Sequence, residues 1–563
     1  MFDLGNFFAQ RRCAGTYGSH QAVLVGAALL VAAAGVPGVA QAQTAPDALQ
    51  FSQRAPAVGS ARVLGRGGTG RAGFAETNAL YYNPAGLGWM EASVASGGLA
   101  IVGTRDEARY QVGTLDPTQQ SENVNNFGGH LALAYKFPTQ RGSLVFAGAY
   151  NQANTFGRAF SFTGLNSSNS ITDTFLPAER DQYRLGENGL PLLPDSDLSF
   201  AAYEAGAIDY DADYDEDGRY PFFQAVPPGA PIEQRGTVTQ DGRLQEVSFG
   251  AGVEAAPDVM LGGSANLSFG TYRYENAYAE ADVNDEIGPD DYFLATNPEL
   301  EGFQRLTFEE RFTANLSGVN LRGGVSAEAL PGVRLGTTVE TPTLYQVDEE
   351  FTQAEITTVF DQGDEDGNSL TYGNRSDDVG VGESQYRVRT PWRLGTGAQV
   401  NLLPITGGVF DLTLTADVEF LDWSQLALDS DAVDLDGPDS PDVFADENFQ
   451  SVVNTNLGAE LRIGGAALRA GFASRPDPVE GEFELYSGEA TDAGRETYSL
   501  GAGYRFAENV RVDVAWMSTR YDQQYRPYAS LDAVPPGSDS ITAPYIDQGV
   551  TRNRFFAGVR YFF

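Results

Sequence analysis

The sequence predicts an all-β fold, a transmembrane antiparallel up-and-down β-barrel of about fourteen strands, on three observations. Segments with period-two alternation recur from residue 92 to the C-terminus. The connections between them alternate strictly between short and long, as expected when short turns lie on one side of a membrane and long loops on the other. A soluble sandwich has no reason to sort its loops by length. The segments also run roughly 10 to 20 residues, whereas strands of soluble sheets usually run about 5–6, and this suits tilted bilayer spans. A mean hydropathy of -0.27 with 42% hydrophobic residues excludes a bundle of apolar helical spans but not a barrel, where alternation keeps the average low.

In chain order, Met1 to Ala42 reads as a signal peptide. Arg11 and Arg12 give a positive start, Ala22 to Ala34 an apolar core, and Ala40-Gln41-Ala42 a small-x-small cleavage site. Cys13 is the one cysteine and precedes that core, so the exported chain would carry no disulfide and no thiolate metal site. The stretch Ala61 to Met90, ARVLGRGGTGRAGFAETNALYYNPAGLGWM, opens with Gly65, Gly67, Gly68, Gly70 and Gly73. Each glycine costs about 0.5–1 kcal/mol in a helix or strand interior, so the cluster predicts a compact irregular element. Asn83 precedes a proline, which biases it away from helix, and its side chain can bond the backbone two residues on. A tight turn is expected there.

This stretch, a glycine-rich lead closing on YYNPAGL, resembles the N-terminal hatch of FadL-type outer-membrane transporters, the family of long-chain fatty acid and aromatic hydrocarbon channels. The resemblance implies a hatch over Gln43 to Met90 that plugs the barrel from the periplasmic side, with the barrel and its long loops over residues 91–563. Asn83, Pro84 and Ala85 fall on the family's NPA motif. With Gly65, Gly68 and Tyr82 they are the expected gating residues. TPWRLGTGAQV from Thr390, ADVEFLDWSQL from Ala416 and LRAGFASRPDP from Leu468 are also similar to the family's segments. The chain ends on Phe563 with Tyr561 two before it, which resembles the signal read by the outer-membrane barrel-assembly machinery.

The expected strands are Ala92 to Thr104, Phe127 to Phe137, Gly142 to Asn154, Leu244 to Ala256 and Val259 to Tyr274. Phe308 to Ala329, Val333 to Glu350, Gln385 to Asn401, Gly408 to Trp423 and Ser451 to Ile463 follow. Ala467 to Arg475, Thr497 to Phe506, Val510 to Arg520 and Asn553 to Phe563 complete the set. In the last, Phe555, Ala557, Val559, Tyr561 and Phe563 share one face, while Arg554 and Arg560 share the other. The arginines belong in the lumen, because a basic residue facing lipid at the midplane costs about 2–4 kcal/mol.

A net charge of -40 excludes nucleic acid and polyanionic ligands, which need basic grooves. After cleavage His130 is the remaining histidine, so any serine or aspartate hydrolase would have to use it. It sits mid-strand in FGGHLALAYKF, where a lumen-facing or packing role is expected. No enzyme activity and no cofactor are implied. Asp213, Asp215 and Asp217 form the first half of a calcium loop, but Gln224 stands where a bidentate glutamate is needed. Two readings remain for these and the other acidic loops: solvated, self-repelling segments, or a divalent-cation site. The long connection Thr155 to Arg243 carries scattered apolar residues from Phe156 to Phe223, which either pack it onto the rim or form a capture surface.

The resemblance implies an outer-membrane channel for long-chain fatty acids or similar lipophilic molecules, with outer-membrane lipid as its surroundings. The family kinks its third strand to open the wall sideways, which points to Ala147, Gly148 and Ala149 here, followed by polar Asn151 and Gln152. The alternative is a non-transporting barrel of the same build that docks exported proteins as a secretion-system partner.

Overall fold

The computed structural model describes residues 45–563 apart from 112–118, 178–182, 187–189, 195–197, 213–219, 290, 293, 295–296, 365–366, 374–380, 406–410, 430–440, 480–488, 491–493 and 531–541. The signal-peptide expectation and the calcium-loop aspartates Asp213, Asp215 and Asp217 lie outside the described residues.

Fourteen antiparallel staves close into one barrel. They are β1 (Val94–Gln111), β2 (Gln119–Phe137), β3 (Leu144–Thr155, continued by Arg158–Asn166), β4 (Ile232–Ala256) and β5 (Val259–Ala281). Next come β6 (Arg305–Leu330), β7 (Val333–Glu340 and Leu344–Asp364), β8 (Val381–Arg389 and Arg393–Asn401), β9 (Asp411–Asp422) and β10 (Ser451–Ile463). β11 (Ala466–Arg475), β12 (Arg495–Ala507), β13 (Val510–Tyr525) and β14 (Tyr545–Phe562) finish the wall. Closure is direct: β1 pairs with β2 on one edge and with β14 on the other, from Val94 opposite Phe562 to Gln111 opposite Tyr545. Closing the sheet pairs the first strand with the last, so neither is left as an edge in lipid. β7 and β8 break at Pro342 and Pro391, which cannot donate to a ladder. The Thr343 amide donates to Thr390 Oγ1 at 2.9 Å and the Thr390 amide to the Thr343 carbonyl at 3.1 Å, which rejoins them.

The alternation sorts by side as the bilayer requires. In β14, Phe555, Val559 and Tyr561 are exposed on the outer wall, while Arg554 and Arg560 are buried inside. Leu99, Phe127, Leu131, Phe249, Leu321 and Leu500 continue the apolar outer surface around the barrel. Turns at residues 257–258, 331–332, 464–465 and 508–509 are short and lie at the end that carries Val94 and Phe562. The other end carries the long connections.

Each expected strand falls on one stave, but several stop short at the long-loop end. The first runs to Gln111 rather than Thr104, the fifth to Ala281 rather than Tyr274, and the last begins at Tyr545 rather than Asn553. The reason is visible in β1. Beyond the apolar belt Arg105 and Arg109 face solvent while Asp106, Ala108 and Tyr110 are buried, so the ladder continues without an apolar outer face. The connection expected over Thr155 to Arg243 is largely folded. It holds the continuation of β3, a helix Leu198–Glu204, and a two-stranded pair Ile208–Tyr210 with Phe222–Gln224. Phe156, Phe160, Phe162, Phe175 and Phe222 are buried in the aromatic core over the long-loop half of the lumen. Leu185, Leu190 and Leu192 stay exposed.

This arrangement sets a topological test. In a Cys13→Ser background, single cysteines at Asn284, in a long connection, and at Glu508, in a short turn, should label differently on intact cells. A membrane-impermeant maleimide should reach Asn284→Cys and not Glu508→Cys; the reverse pattern would invert the orientation.

Candidate functional site

Residues 45–93 lie against the inward face of the staves. They form α1 (Ala45–Ser52), α2 (Ala61–Leu64), α3 (Ala79–Tyr82) and a 3₁₀ turn (Pro84–Trp89). The glycines of this inner segment meet glycines of the wall. A Cβ on Gly65 would stand 2.9 Å from the Cα of Gly501, and a Cβ on Gly471 would stand 2.1 Å from the Gly67 amide nitrogen. Both backbones therefore touch with no side chain between them, the approach that glycine alone permits. Gly68, at φ +77°, packs beside Ala57 and Asn456.

The NPA turn is seated the same way. A Cβ on Gly262 would stand 2.2 Å from the Pro84 carbonyl carbon, so Pro84 and Ala85 rest on the bare wall of β5. Asn83 has φ -155° and ψ 102°, the extended form its proline neighbour favours. Its Oδ1 accepts from the Ala85 amide at 3.1 Å, and its Nδ2 donates to the Arg71 carbonyl at 2.7 Å and the Val325 carbonyl at 3.0 Å. One side chain thus closes the turn and fixes it to β6. The Tyr82 hydroxyl accepts from the Val58 amide at 2.9 Å and donates to the Val58 carbonyl at 3.0 Å, joining the two ends of the segment.

Charges that the sequence pattern did not single out hold the seat. Arg62 donates to both oxygens of Glu460 on β10 at 2.8 Å. Arg54 and Arg322 share Glu340 at 2.7 and 2.8 Å. The Asp417 carboxylate accepts the Gly70 and Arg71 amides at 2.6 and 2.9 Å. The one signal that could have found them is a charge on the lumen side of a strand that is otherwise apolar on its outer side, as Glu460 is in LGAELRI. Arg66 differs. Burial lowers its guanidinium to about 10, with Glu460 raising it only in part, and it stacks on Phe74 at 4.4 Å.

His130 sits where the wall changes. Its Nδ1 donates to Asn151 Oδ1 at 2.9 Å and its Nε2 bonds Ser96 Oγ at 3.0 Å. Ser96 Oγ in turn meets Thr77 Oγ1 at 2.9 Å, and Asn78 Nδ2 donates to Asn151 at 3.3 Å. The Ser96–His130–Asn151 order is that of a hydrolase relay. Here both ends are tied to the inner segment and all three residues are buried, so the bonds act as a tether.

His130 opposite Asn151 is also the last rung between β2 and β3. Among the described residues, positions 119–129 of β2 pair with β1 and not with β3. β3 shifts register between Gln152 and Asn154, interrupts at Phe156 and Gly157, and continues paired to β4. The seam is filled by side chains: Asn126 lies against Gly157, and Gln152 against Gly128. Ala147, Gly148 and Ala149, the expected opening, do not border this seam. They pair with β2 at Ala134, Leu133 and Ala132 and with β4 at Gly250, Phe249 and Ser248. Their small size serves packing instead, since Ala147 and Ala149 cluster with Ala79, Leu80 and Leu87 of the inner segment.

On the long-loop side of the seat, Tyr272 of β5 gathers three rings: Phe51 of α1 at 6.4 Å, Phe156 at the interruption of β3 at 5.1 Å, and Phe312 at 5.6 Å. An aromatic cluster therefore runs from the inner segment to the seam.

Fold and site together define a transmembrane β-barrel of the outer-membrane type, occupied from within. A Pseudomonas aeruginosa FadL homologue shares the fold, with a TM-score of 0.50 at 12% identity over 90% of this chain and 99% of that one. The Pseudomonas putida toluene transporter TodX compares at 0.46 and 13% identity, covering 90% of this chain and 98% of its own. The Ralstonia pickettii toluene transporter TbuX compares at 0.43 and 15%, covering 90% and 98%. No protein-family model matches the sequence, and no curated protein does.

Removing one partner of a buried ion pair costs about 3–5 kcal/mol, because the other charge is left unmet. Glu460→Gln should therefore loosen α2 before the wall. Hydrogen exchange is expected to rise at Arg62 to Leu64 while β4 and β5 keep their protection; uniform loss of protection would mean that seat and wall unfold as one.

Proposed function

We propose that this barrel takes up hydrophobic small molecules across an outer membrane, with the inner segment as a hatch and the seam beside β3 as a sideways exit. The observation that carries the reading is the aromatic cluster around Tyr272, which ends at the seam. Aromatic faces favour flat aromatic or lipophilic ligands over polar ones, and the two toluene transporters named above are described as carrying such a molecule. Release into periplasmic water would lose roughly 0.8 kcal/mol per methylene returned to solvent, so an exit into the bilayer is favoured. No chemical step is needed, and Phe563 keeps the role of an assembly signal.

A second reading has one observation in its favour. The exposed Leu185, Leu190 and Leu192 form an apolar tip on the long-loop face, which a docking barrel would use to hold another protein.

Two experiments separate these readings. Extraction of the purified protein followed by mass spectrometry is expected to yield a bound lipophilic molecule. For the exit, Asn126 Cγ lies 2.6 Å from where a Gly157 Cβ would stand, which places cysteines at 126 and 157 within disulfide reach. The oxidised Asn126→Cys/Gly157→Cys protein should lose uptake of a labelled aromatic hydrocarbon and regain it on reduction. Uptake indifferent to oxidation would rule the seam out as the exit, and deleting the leucine tip should leave uptake intact.

A further inference from the structure

We propose that the short-turn face of the barrel holds a binding site for an aromatic carboxylate, with Arg66 as the group that receives the carboxylate. The inner segment and the wall enclose a cavity of about 640 Å³ there, whose lining includes Arg66, Phe74, Trp89, Met90, Arg462 and Phe562. Arg66 is 1% exposed, yet its Nε and Nη2 have no hydrogen-bond partner. A buried guanidinium left unmet is costly, so the position calls for an acceptor that the protein itself does not supply.

The nearby acids are turned to other groups and none bonds Arg66 Nε or Nη2, although Glu76 Oε2 and Asp417 Oδ1 also keep no hydrogen bond. Glu460 is held by Arg62, Arg462 and Arg469. Asp417 is occupied by the Gly70 and Arg71 amides. Glu76 accepts from Ser60 Oγ at 2.9 Å and faces Arg560 at 3.5 Å. Five arginines against three glutamates line the cavity, in a chain whose net charge is -40. That reversal of sign selects an anion.

The geometry of the open donors narrows its class. Nε and Nη2 form the side-on edge of the guanidinium, the edge that a carboxylate bridges with two parallel hydrogen bonds. The rings beside it select the rest of the ligand. Phe74 carries Arg62 and Arg66 at 4.3 and 4.4 Å, and Trp89 carries Arg334 at 4.1 Å, so flat faces and cations alternate along the lining. A planar aromatic body can stack in that series while its carboxylate meets Arg66. The site stands apart from the Tyr272 cluster and does not depend on the uptake reading.

The test uses the full chain in detergent, titrated calorimetrically with 2-naphthoate, its neutral analogue 2-naphthamide, and inorganic phosphate. Naphthoate should bind saturably, with naphthamide and phosphate each at least tenfold weaker. Arg66→Met should weaken naphthoate at least tenfold, and Arg66→Lys, which keeps the charge but loses the side-on pair of donors, by severalfold, each with the gel mobility of a folded barrel. Equal binding of naphthoate and naphthamide would overturn the anion site, as would undiminished binding in Arg66→Met. Phosphate binding as tightly as naphthoate would overturn the aromatic class. The comparison among the three probes needs no variant and decides the matter even if Arg66→Met fails to fold.

Discussion

The structure depends on two backbones meeting with nothing between them. A folded segment fits inside this barrel because Gly65 faces Gly501, Gly67 faces Gly471 and Pro84 lies on Gly262. A methyl group at these wall positions would push the segment off its seat. Close approach alone would leave amides and carbonyls dry, which is expensive in the interior of a membrane protein. The wall answers with side chains: Ser499 accepts the Gly67 amide at 3.0 Å, and Asn83 reaches across to Val325. Ion pairs such as Arg62 with Glu460 then choose one register among the several that bare glycine surfaces would allow, a use of buried charge for specificity more than for stability.

The same seat reaches the stretch where the ladder between β2 and β3 stops. The His130–Asn151 rung closes the β2–β3 ladder, and through Ser96 and Asn151 it is bonded to Thr77 and Asn78 of the inner segment. The segment and the end of the ladder therefore share hydrogen bonds. A displacement of one must break or carry bonds of the other.

The barrel was legible because lipid enforces alternation. Phe555, Val559 and Tyr561 outside and Arg554 and Arg560 inside follow directly from it, and so do the fourteen staves. Legibility ended where lipid ends. Arg105 and Arg109 face water, so the continuation of β1 to Gln111 is recorded only in its backbone pairing and in Tyr110 on the inner side. The third strand shows the other limit. Small residues at Ala147 and Ala149 suit either a break or a tight contact, and the sequence does not say which. Only the position of Leu80 and Leu87 against them decides for contact. The Asn83 turn was readable because its bonds are mostly local; its third bond, to Val325, spans 242 residues and was not.

The long connections have a further consequence for how freely this molecule can vary. Phe160, Phe162, Phe175, Tyr210 and Phe222 are spent on the core over the lumen, so much of what faces outward is fixed from beneath. Antibodies or phages that recognise the described part of these loops would meet a surface with little room to drift without loss of folding. Among the described residues, Arg184–Leu185 paired with Pro191–Leu192 carries exposed leucines outside that core, so substitution there costs the barrel little.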